Sequence, residues 1–510
     1  MTLSRRSVLA GAAAIVAARP ASAQPALPEY PFALGVASGD PLADGIVLWT
    51  RLAPRPLGDP DGLGGMPPVA VAVEWQVARD EAMREIVQRG VAAARPERAH
   101  SVHVEVEGLE PDRWYWYRFV AGRHESPIGR TRTLPAAGAE VRALRFAFGS
   151  CQNWEGGHYA AYRDVVRRDV DLFVHLGDYI YEVSFGGTVP RRHDGAERIR
   201  TLAQYRNRYA LYKSDPALQA AHQALPWLVV PDNHDTTEDG ALDAATIAQR
   251  AVAFQAWVEH MPVRGLLVPG SAALQIYRAV EFGDLARIVL LDTRQFRADQ
   301  NLCPPVDRAF GFGLYRAACA GSESDRRSVL GPEQEAWLAA RLATQGVRWN
   351  AIGSSVQVAG FNLRHGDETA HYLASWDSYP AARRRLLAAA RAGAGAPVFI
   401  SGDLHSFWTN VVADAVGDRR GAAIAPEFLG GAISSGWPAP LDQPIRAALT
   451  TNPQVRFYES QVNGYALCEL TPATWRTEYR IVTDVNQPDA PSRTLASFVV
   501  ERGNPEPRRV

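Results

Sequence analysis

The residues able to do chemistry stand at the ends of apolar runs. Phe146-Ala147-Phe148 leads into Gly149-Ser150-Cys151, and Leu172 to Leu176 into Gly177-Asp178. Leu228-Val229-Val230 leads into Asp232-Asn233-His234-Asp235, Ile288 to Leu291 into Asp292, and Val398-Phe399-Ile400 into Ser401-Gly402-Asp403-Leu404-His405. A thiol, carboxylates, an amide oxygen and imidazoles are together the donors that divalent and trivalent cations use. A carboxylate such as Asp178 can bridge two cations, since its two oxygens reach different ions. Asn233 offers a hard neutral oxygen. Asp403 and His405, two apart at a strand end, share one face. Two cations held about 3.5–4 Å apart activate a water and stabilise phosphate oxygens during in-line attack. Each motif alone is weak, because Gly-Asp after a strand is common and Asn-His is ordinarily a turn. The ordered set carries the reading.

Continuous apolar runs predict strands buried on both faces. They alternate with helical stretches, among them Pro332 to Leu342, so residues 140–485 read as a layered α/β domain whose site lies where the strands end. Residues 27–135 read as all-β. Val69, Val71 and Val73, then Val102, Val104 and Val106, then Tyr115, Tyr117 and Phe119 alternate with polar neighbours. That period marks half-buried strands and predicts a small fibronectin- or immunoglobulin-like sandwich. Residues 486–510 read as a polar tail with one apolar stretch, Leu495 to Val500, that can dock back.

Composition bounds the rest. A chain of 510 residues predicts two to four domains. Fifty-four basic against 55 acidic residues leave a net charge of −1, which excludes a nucleic-acid or anionic-membrane binder driven by bulk charge. Four cysteines exclude a disulfide scaffold. Residues 1–23 carry Arg5-Arg6 before a mild apolar run, Leu9 to Ala18, and then Ala21-Ser22-Ala23. This is the layout of a twin-arginine (Tat) signal peptide. It predicts the Tat machinery as a partner, a periplasmic or secreted product, and no membrane span in the mature chain.

From about residue 30 to 485 the sequence resembles the PhoD family of alkaline phosphatases and phosphodiesterases, within the calcineurin-like metallophosphatases. The resemblance rests on Gly35-Val36-Ala37-Ser38-Gly39-Asp40-Pro41, Phe148-Gly149-Ser150-Cys151, Gly177-Asp178-Tyr179-Ile180-Tyr181-Glu182, Asp292-Thr293-Arg294, Leu330-Gly331 with Gln334, Trp376-Asp377-Ser378-Tyr379-Pro380 and Ser401-Gly402-Asp403-Leu404-His405. It implies a four-layer αββα sandwich after the N-terminal β-sandwich, and a phosphate ester as substrate. It also implies that Cys151, Asp178, Tyr181 and His405 hold Fe(III), with Asp178 bridging, and that Asn233 and Asp403 hold a second cation, Ca2+. His234 would touch the phosphate or protonate the leaving oxygen, with Asp235 orienting it. Related members often carry Asp-Asp-His-Glu where this chain has Asp232-Asn233-His234-Asp235, a departure that bears on the second cation. Paired cysteines are common in this region of the family, and export permits a Cys303–Cys319 disulfide; the alternative is two free thiols.

Several positions have a blander reading. Arg294 is either a bidentate phosphate clamp or a surface ion pair. Asp232 is either outer support for the ligands or a turn residue, and Tyr179 competes with Tyr181. His175 reads as a core or supporting group, His158 and His193 as solvent or rim histidines, and Cys468 as core. Two rival functions use the same residues: an iron redox protein, and a non-catalytic surface module that binds phosphate polymers through the β-sandwich.

Overall fold

The computed structural model describes residues 25–510 except 188, 196–197, 237–243, 266–273, 307–312, 366–367 and 415–420. The predicted signal peptide, 1–23, lies outside the described residues. No helix among them is long and apolar enough to cross a membrane.

Two sheets organise the chain. The first has ten strands, in the order Arg508–Arg509, Ser492–Glu501, Thr474–Val482, Gly464–Leu470, Leu144–Gly149, Leu172–His175, Pro226–Val229, Val36–Gly39, Gly45–Arg51 and Ser101–Glu107. The four strands from Leu144–Gly149 to Val36–Gly39 run parallel. The second has seven: Arg278–Phe282, Ala286–Leu290, Trp349–Ser354, Ala396–Ser401, Ala423–Gly430, Phe407–Ala413 and Val455–Glu459. The strands from Ala286–Leu290 to Ala423–Gly430 are parallel. Parallel neighbours need crossovers, so both sheets carry helices on their outer faces.

The apolar runs behave as strands buried on both sides. Ile288 and Leu290 join Phe148, Phe173 and Leu228 in the core between the sheets. Val289 and Leu291 turn outward against Leu338, Leu342, Leu386 and Leu387 of helices Gly331–Ala343 and Pro380–Ala392. The sheets pack so closely that a β-carbon on Gly430 would lie 2.8 Å from the Phe148 ring. On the other outer face, Tyr162 of helix Ala160–Val166 packs 5.5 Å from Phe173 and 5.6 Å from Trp227. Helices, sheet, sheet and helices make the αββα arrangement.

The N-terminal strands form a five-stranded sheet of their own: Ile86–Ala94, Val71–Ala78, Trp114–Ala121, His124–Glu125 and Gly129–Arg132. Tyr115, Tyr117 and Phe119 alternate inward as the sequence predicts, whereas Val69 precedes its strand and is exposed. Their partners across the small core are Val36, Ile46, Leu48, Val102, Val104 and Val106. Those residues sit on the edge strands of the ten-stranded sheet. The sandwich therefore shares one of its faces with the large sheet. The Gly39-Asp40 turn fastens this junction: a β-carbon on Gly39 would lie 2.3 Å from the Pro262 carbonyl oxygen. Asp40 accepts from Arg278 Nε at 2.7 Å and from the Arg264 backbone N–H at 2.6 Å. At the other end, Ser492–Glu501 pairs antiparallel with Thr474–Val482, so the C-terminal segment is sheet rather than loose tail.

Candidate active site

The parallel strands of both sheets end at one place, and each ends in a turn. Four of the nine non-glycine residues with positive φ among the described residues are Cys151 (57°), Asp178 (54°), Asp403 (65°) and His405 (47°). A left-handed L-residue costs about 1–2 kcal/mol. Such strain concentrates where function fixes the backbone.

The turns bring remote residues together. Cys151, Asp178 and His405 each offer one donor atom, and these atoms lie within 4.8 Å of one another. Tyr181 joins them: its Oη is 3.1 Å from Asp178 Oδ2, 3.0 Å from His405 Nε2 and 2.7 Å from Ser435 Oγ. His405 Nδ1 donates to the Gly436 carbonyl oxygen at 2.9 Å, leaving Nε2 as a lone pair. Burial, relieved in part by the Gly436 bond, holds His405 down at about 4, so it is neutral in ordinary buffers. One phenol proton cannot satisfy both an imidazole lone pair and a carboxylate, so these donors suit a cation. Burial pushes the Cys151 thiol well up, and the nearby Asp178 adds to it. Burial also raises the Asp178 and Asp403 carboxyls, with Asp232 contributing to each.

A second group adjoins the first. Asp232, Asn233 and Asp403 surround the guanidinium of Arg294. Arg294 Nε donates to Asp232 Oδ1, and Nη2 donates to Asn233 Oδ1 at 3.3 Å and to Asp403 Oδ1 at 3.1 Å. Arg294 is 3 % exposed, so it is no surface ion pair, and these donors face protein oxygens rather than open space. Ser355 Oγ donates to Asp232 Oδ1 at 2.7 Å, so Asp232 supports the group rather than serving as a plain turn residue. The other oxygens of Asp232 and Asp403, both Oδ2, are buried without a hydrogen-bond partner. Buried orphan carboxylate oxygens are costly unless a cation meets them. The donor set therefore fits a metal at the first group and oxygen coordination at the second.

His234 projects into the cavity, but Asp235 does not orient it. The His234 Nδ1 partner is Glu182 Oε2 at 2.7 Å, and Arg198 Nη1 donates to Glu182 Oε1 at 2.8 Å. Asp235 turns inward and accepts from the backbone N–H groups of Tyr179 (3.0 Å), Ile180 (3.1 Å) and Asp232 (3.0 Å). Neighbouring residues of the short helix Asn233–Thr236 point about 100° apart, so the two side chains cannot share a direction. Burial, with Asp178 close by, pushes the Asp235 carboxyl up to about 8. His193 is not a rim histidine: its side chain is 1 % exposed, stacked on Tyr212, with Nε2 2.9 Å from the tyrosine hydroxyl. His175 is buried against Trp227, and Tyr179 bonds His222 at 2.8 Å, away from the ligand group. Cys303 and Cys319 are joined by a disulfide, and Cys468 is buried in the core.

Sequence reasoning missed Glu182, Ser355 and Ser435. Both serines carried the signal used elsewhere, since Ser355 follows strand Trp349–Ser354 and Ser435 follows strand Ala423–Gly430. Glu182 closed the Gly177-Asp178-Tyr179-Ile180-Tyr181-Glu182 motif but was given no role.

Two facing sheets with a donor cluster at their converging ends make a metallophosphatase-like fold. The PhoD-like phosphatase family matches residues 146–479, and the N-terminal domain of PhoD-like phosphatase matches 17–135. Alkaline phosphatase D of Bacillus subtilis (strain 168) is 41% identical over 513 residues, covering 96% of this chain and 84% of that protein. A solved structure of PhoD superposes with a TM-score of 0.86 at 40% identity, over 95% of this chain and 93% of that one. A purple acid phosphatase from yellow lupin (Lupinus luteus) seeds shares the fold, with a TM-score of 0.57 at 12% identity, over 93% of this chain and 75% of that one. The chain belongs to the PhoD-like phosphatase family.

Proposed function

We propose that this protein is an exported, metal-dependent alkaline phosphatase and phosphodiesterase of the PhoD type. The observation that carries the proposal is the cluster of Cys151, Asp178 and His405 donors, within 4.8 Å, in a chain of this family. Thiolate, phenolate, imidazole and carboxylate suit Fe(III), which Cys151, Asp178, Tyr181 and His405 would hold. The oxygens of Asn233 and Asp403, together with Asp178, would suit Ca2+. When bound, such a cation pair supplies Lewis acidity and an activated water for in-line attack on phosphorus.

The chain's own residues supply the rest. His234, steadied at Nδ1 by Glu182, gives its proton to the leaving oxygen. Its backbone N–H donates to Asp178 Oδ1 at 3.2 Å and so ties the acid to the ligand turn. Asp235 fixes the Tyr179-Ile180 backbone between Asp178 and Tyr181. Arg294 is a positioning residue: its guanidinium offsets Asp232 and Asp403 from behind. The Tat reading of residues 1–23 is supported by the Cys303–Cys319 disulfide, which suits an oxidising compartment. The reading divides the mature chain into a sandwich, 27–135, and a catalytic unit, 140–485, with 486–510 completing the large sheet.

Purified protein assayed with a phosphate monoester and a diester should hydrolyse at least one. Cys151→Ala should lose bound iron by elemental analysis, together with turnover, while keeping its circular dichroism. A Cys151→Ala protein with full activity would contradict the assignment.

A further inference from the structure

The cavity over the donor cluster is much larger than a phosphate group needs. It encloses about 600 Å³, within the range of pockets that bury whole organic ligands. Its polar end is the cluster itself. The rest is mostly apolar, with Phe185, Leu314, Tyr372, Trp437 and Pro438, though Asn153 and Ser435 also line it. No lysine or arginine is among the described residues lining it.

Phe185 is the unusual member. It is 60% exposed, on a turn that would ordinarily carry a polar residue. The turn is not loose. The backbone N–H groups of Phe185 and Gly186 each donate to Glu155 Oε2 at 3.0 Å, and Ser184 Oγ lies 2.9 Å from both Glu155 oxygens. Glu155 is 1% exposed, and a β-carbon on Gly187 would lie 1.7 Å from its carbonyl oxygen. A buried carboxylate thus holds an apolar ring out into the cavity. The ring meets His234 edge to face, with centroids 5.6 Å apart at 85°, and Tyr181 likewise at 6.0 Å and 81°. What touches Phe185 is therefore beside the imidazole assigned to the leaving oxygen. With His234 facing the leaving oxygen, that would be the leaving group rather than the phosphate.

We propose that Phe185 is a specificity-determining residue, and that the site prefers phosphate esters whose leaving group is a flat, uncharged aromatic or heteroaromatic ring stacked on its open face. A leaving group carrying further phosphates would meet mostly apolar walls, with no cation among the described lining residues to pair with it. The proposal rests on the phosphoesterase reading above and on His234 facing the leaving oxygen.

The test compares KM for phenyl phosphate with KM for 2-glycerol phosphate in the metal-loaded enzyme and in F185A, F185L and F185Y. An aromatic contact of this kind amounts to roughly a 2- to 13-fold effect. F185A should raise the phenyl-to-glycerol KM ratio by about that factor, with F185L close to it and F185Y restoring the wild-type ratio. An unchanged ratio in F185A, or a ratio in F185Y no better than in F185A, overturns the proposal while leaving the phosphoesterase reading intact. A wild-type enzyme that turns over neither ester defeats that reading, and this proposal with it.

Discussion

Replacing Glu182 by glutamine isolates the proton that His234 is assigned to deliver. The Glu182 side chain is fully buried, and both its oxygens are engaged, by His234 at 2.7 Å and Arg198 at 2.8 Å. Burial alone would raise its carboxyl; His234 and Arg198 outweigh burial and hold it below its ordinary value. It is therefore a carboxylate in ordinary buffers, and its bond to Nδ1 is charge-assisted. Such bonds contribute about 1.5–3 kcal/mol against about 0.5–1.5 for a neutral pair. Glu182→Gln keeps the shape and loses about 1–2 kcal/mol of support for a protonated, oriented imidazole. That corresponds to about 5- to 30-fold in rate, provided proton delivery matters in the transition state. It matters for an alkoxide leaving group and hardly at all for p-nitrophenolate, which leaves without help. The assay is kcat for an alkyl phosphate against p-nitrophenyl phosphate. Only the alkyl ester should slow in Glu182→Gln. Asp235→Asn, which touches backbone N–H groups instead, should leave the ratio of the two rates alone. An equal loss on both esters in Glu182→Gln, or a selective loss in Asp235→Asn alone, refutes the assignment.

Arg294→Gln should leave Asp232 and Asp403 buried without their guanidinium, a loss of about 3–5 kcal/mol for a broken buried pair. A divalent cation should then raise its melting temperature more than it raises that of the wild type; equal shifts argue that Arg294 does not serve this group. The only lysine in the chain, Lys213, is buried, with its ammonium 4.1 Å from the Trp49 ring. Burial lowers it from 10.5 to about 7. Between those values the unfolded chain binds the extra proton and the folded chain does not, so folding stability rises with pH from about 7 to 10. Lys213→Met should be more stable than wild type at pH 7 and should flatten this rise in thermal melts; parallel pH profiles would contradict it.

Much of the site was legible because the strands that feed it are buried on both faces. Such strands appear as unbroken apolar runs, and a polar cluster directly after one stands out. Cys151, Asp178, Asn233, Asp403 and His405 were all visible this way. Partners supplied by neighbouring turns were not. The family resemblance implied Asp235 for His234, but one helical step separates their directions, and Glu182 reaches the imidazole from another loop. Likewise, the alternating valines of the N-terminal region spoke for a free-standing sandwich. The contrary signal was Gly45–Arg51, buried at every position. A strand with no exposed residue has something on both sides: here the small core through Ile46 and Leu48, and Trp49 facing the helices beside Ala210.

Backbone strain falls on the donors of this cluster. Left-handed residues that are not glycine also occur outside the site, as at Asp40 (43°) in the junction with the sandwich; here they carry the donor side chains themselves. Cys151, Asp178, Asp403 and His405 meet at one site, at about 1–2 kcal/mol each, when glycine would relieve each of them and delete a donor. Space is equally constrained. A β-carbon on Gly177, next to Asp178, would lie 2.3 Å from that of Asp232, and one on Gly402, next to Asp403, would lie 2.6 Å from Ser150 Oγ. Glycine thus stands where the turns touch one another, and donors stand where they face the cavity. The core between the two sheets offsets the strain, and the donors are gathered by the fold itself. The work of assembling the pocket falls on folding, so a cation entering it needs to reorganise side chains rather than the backbone.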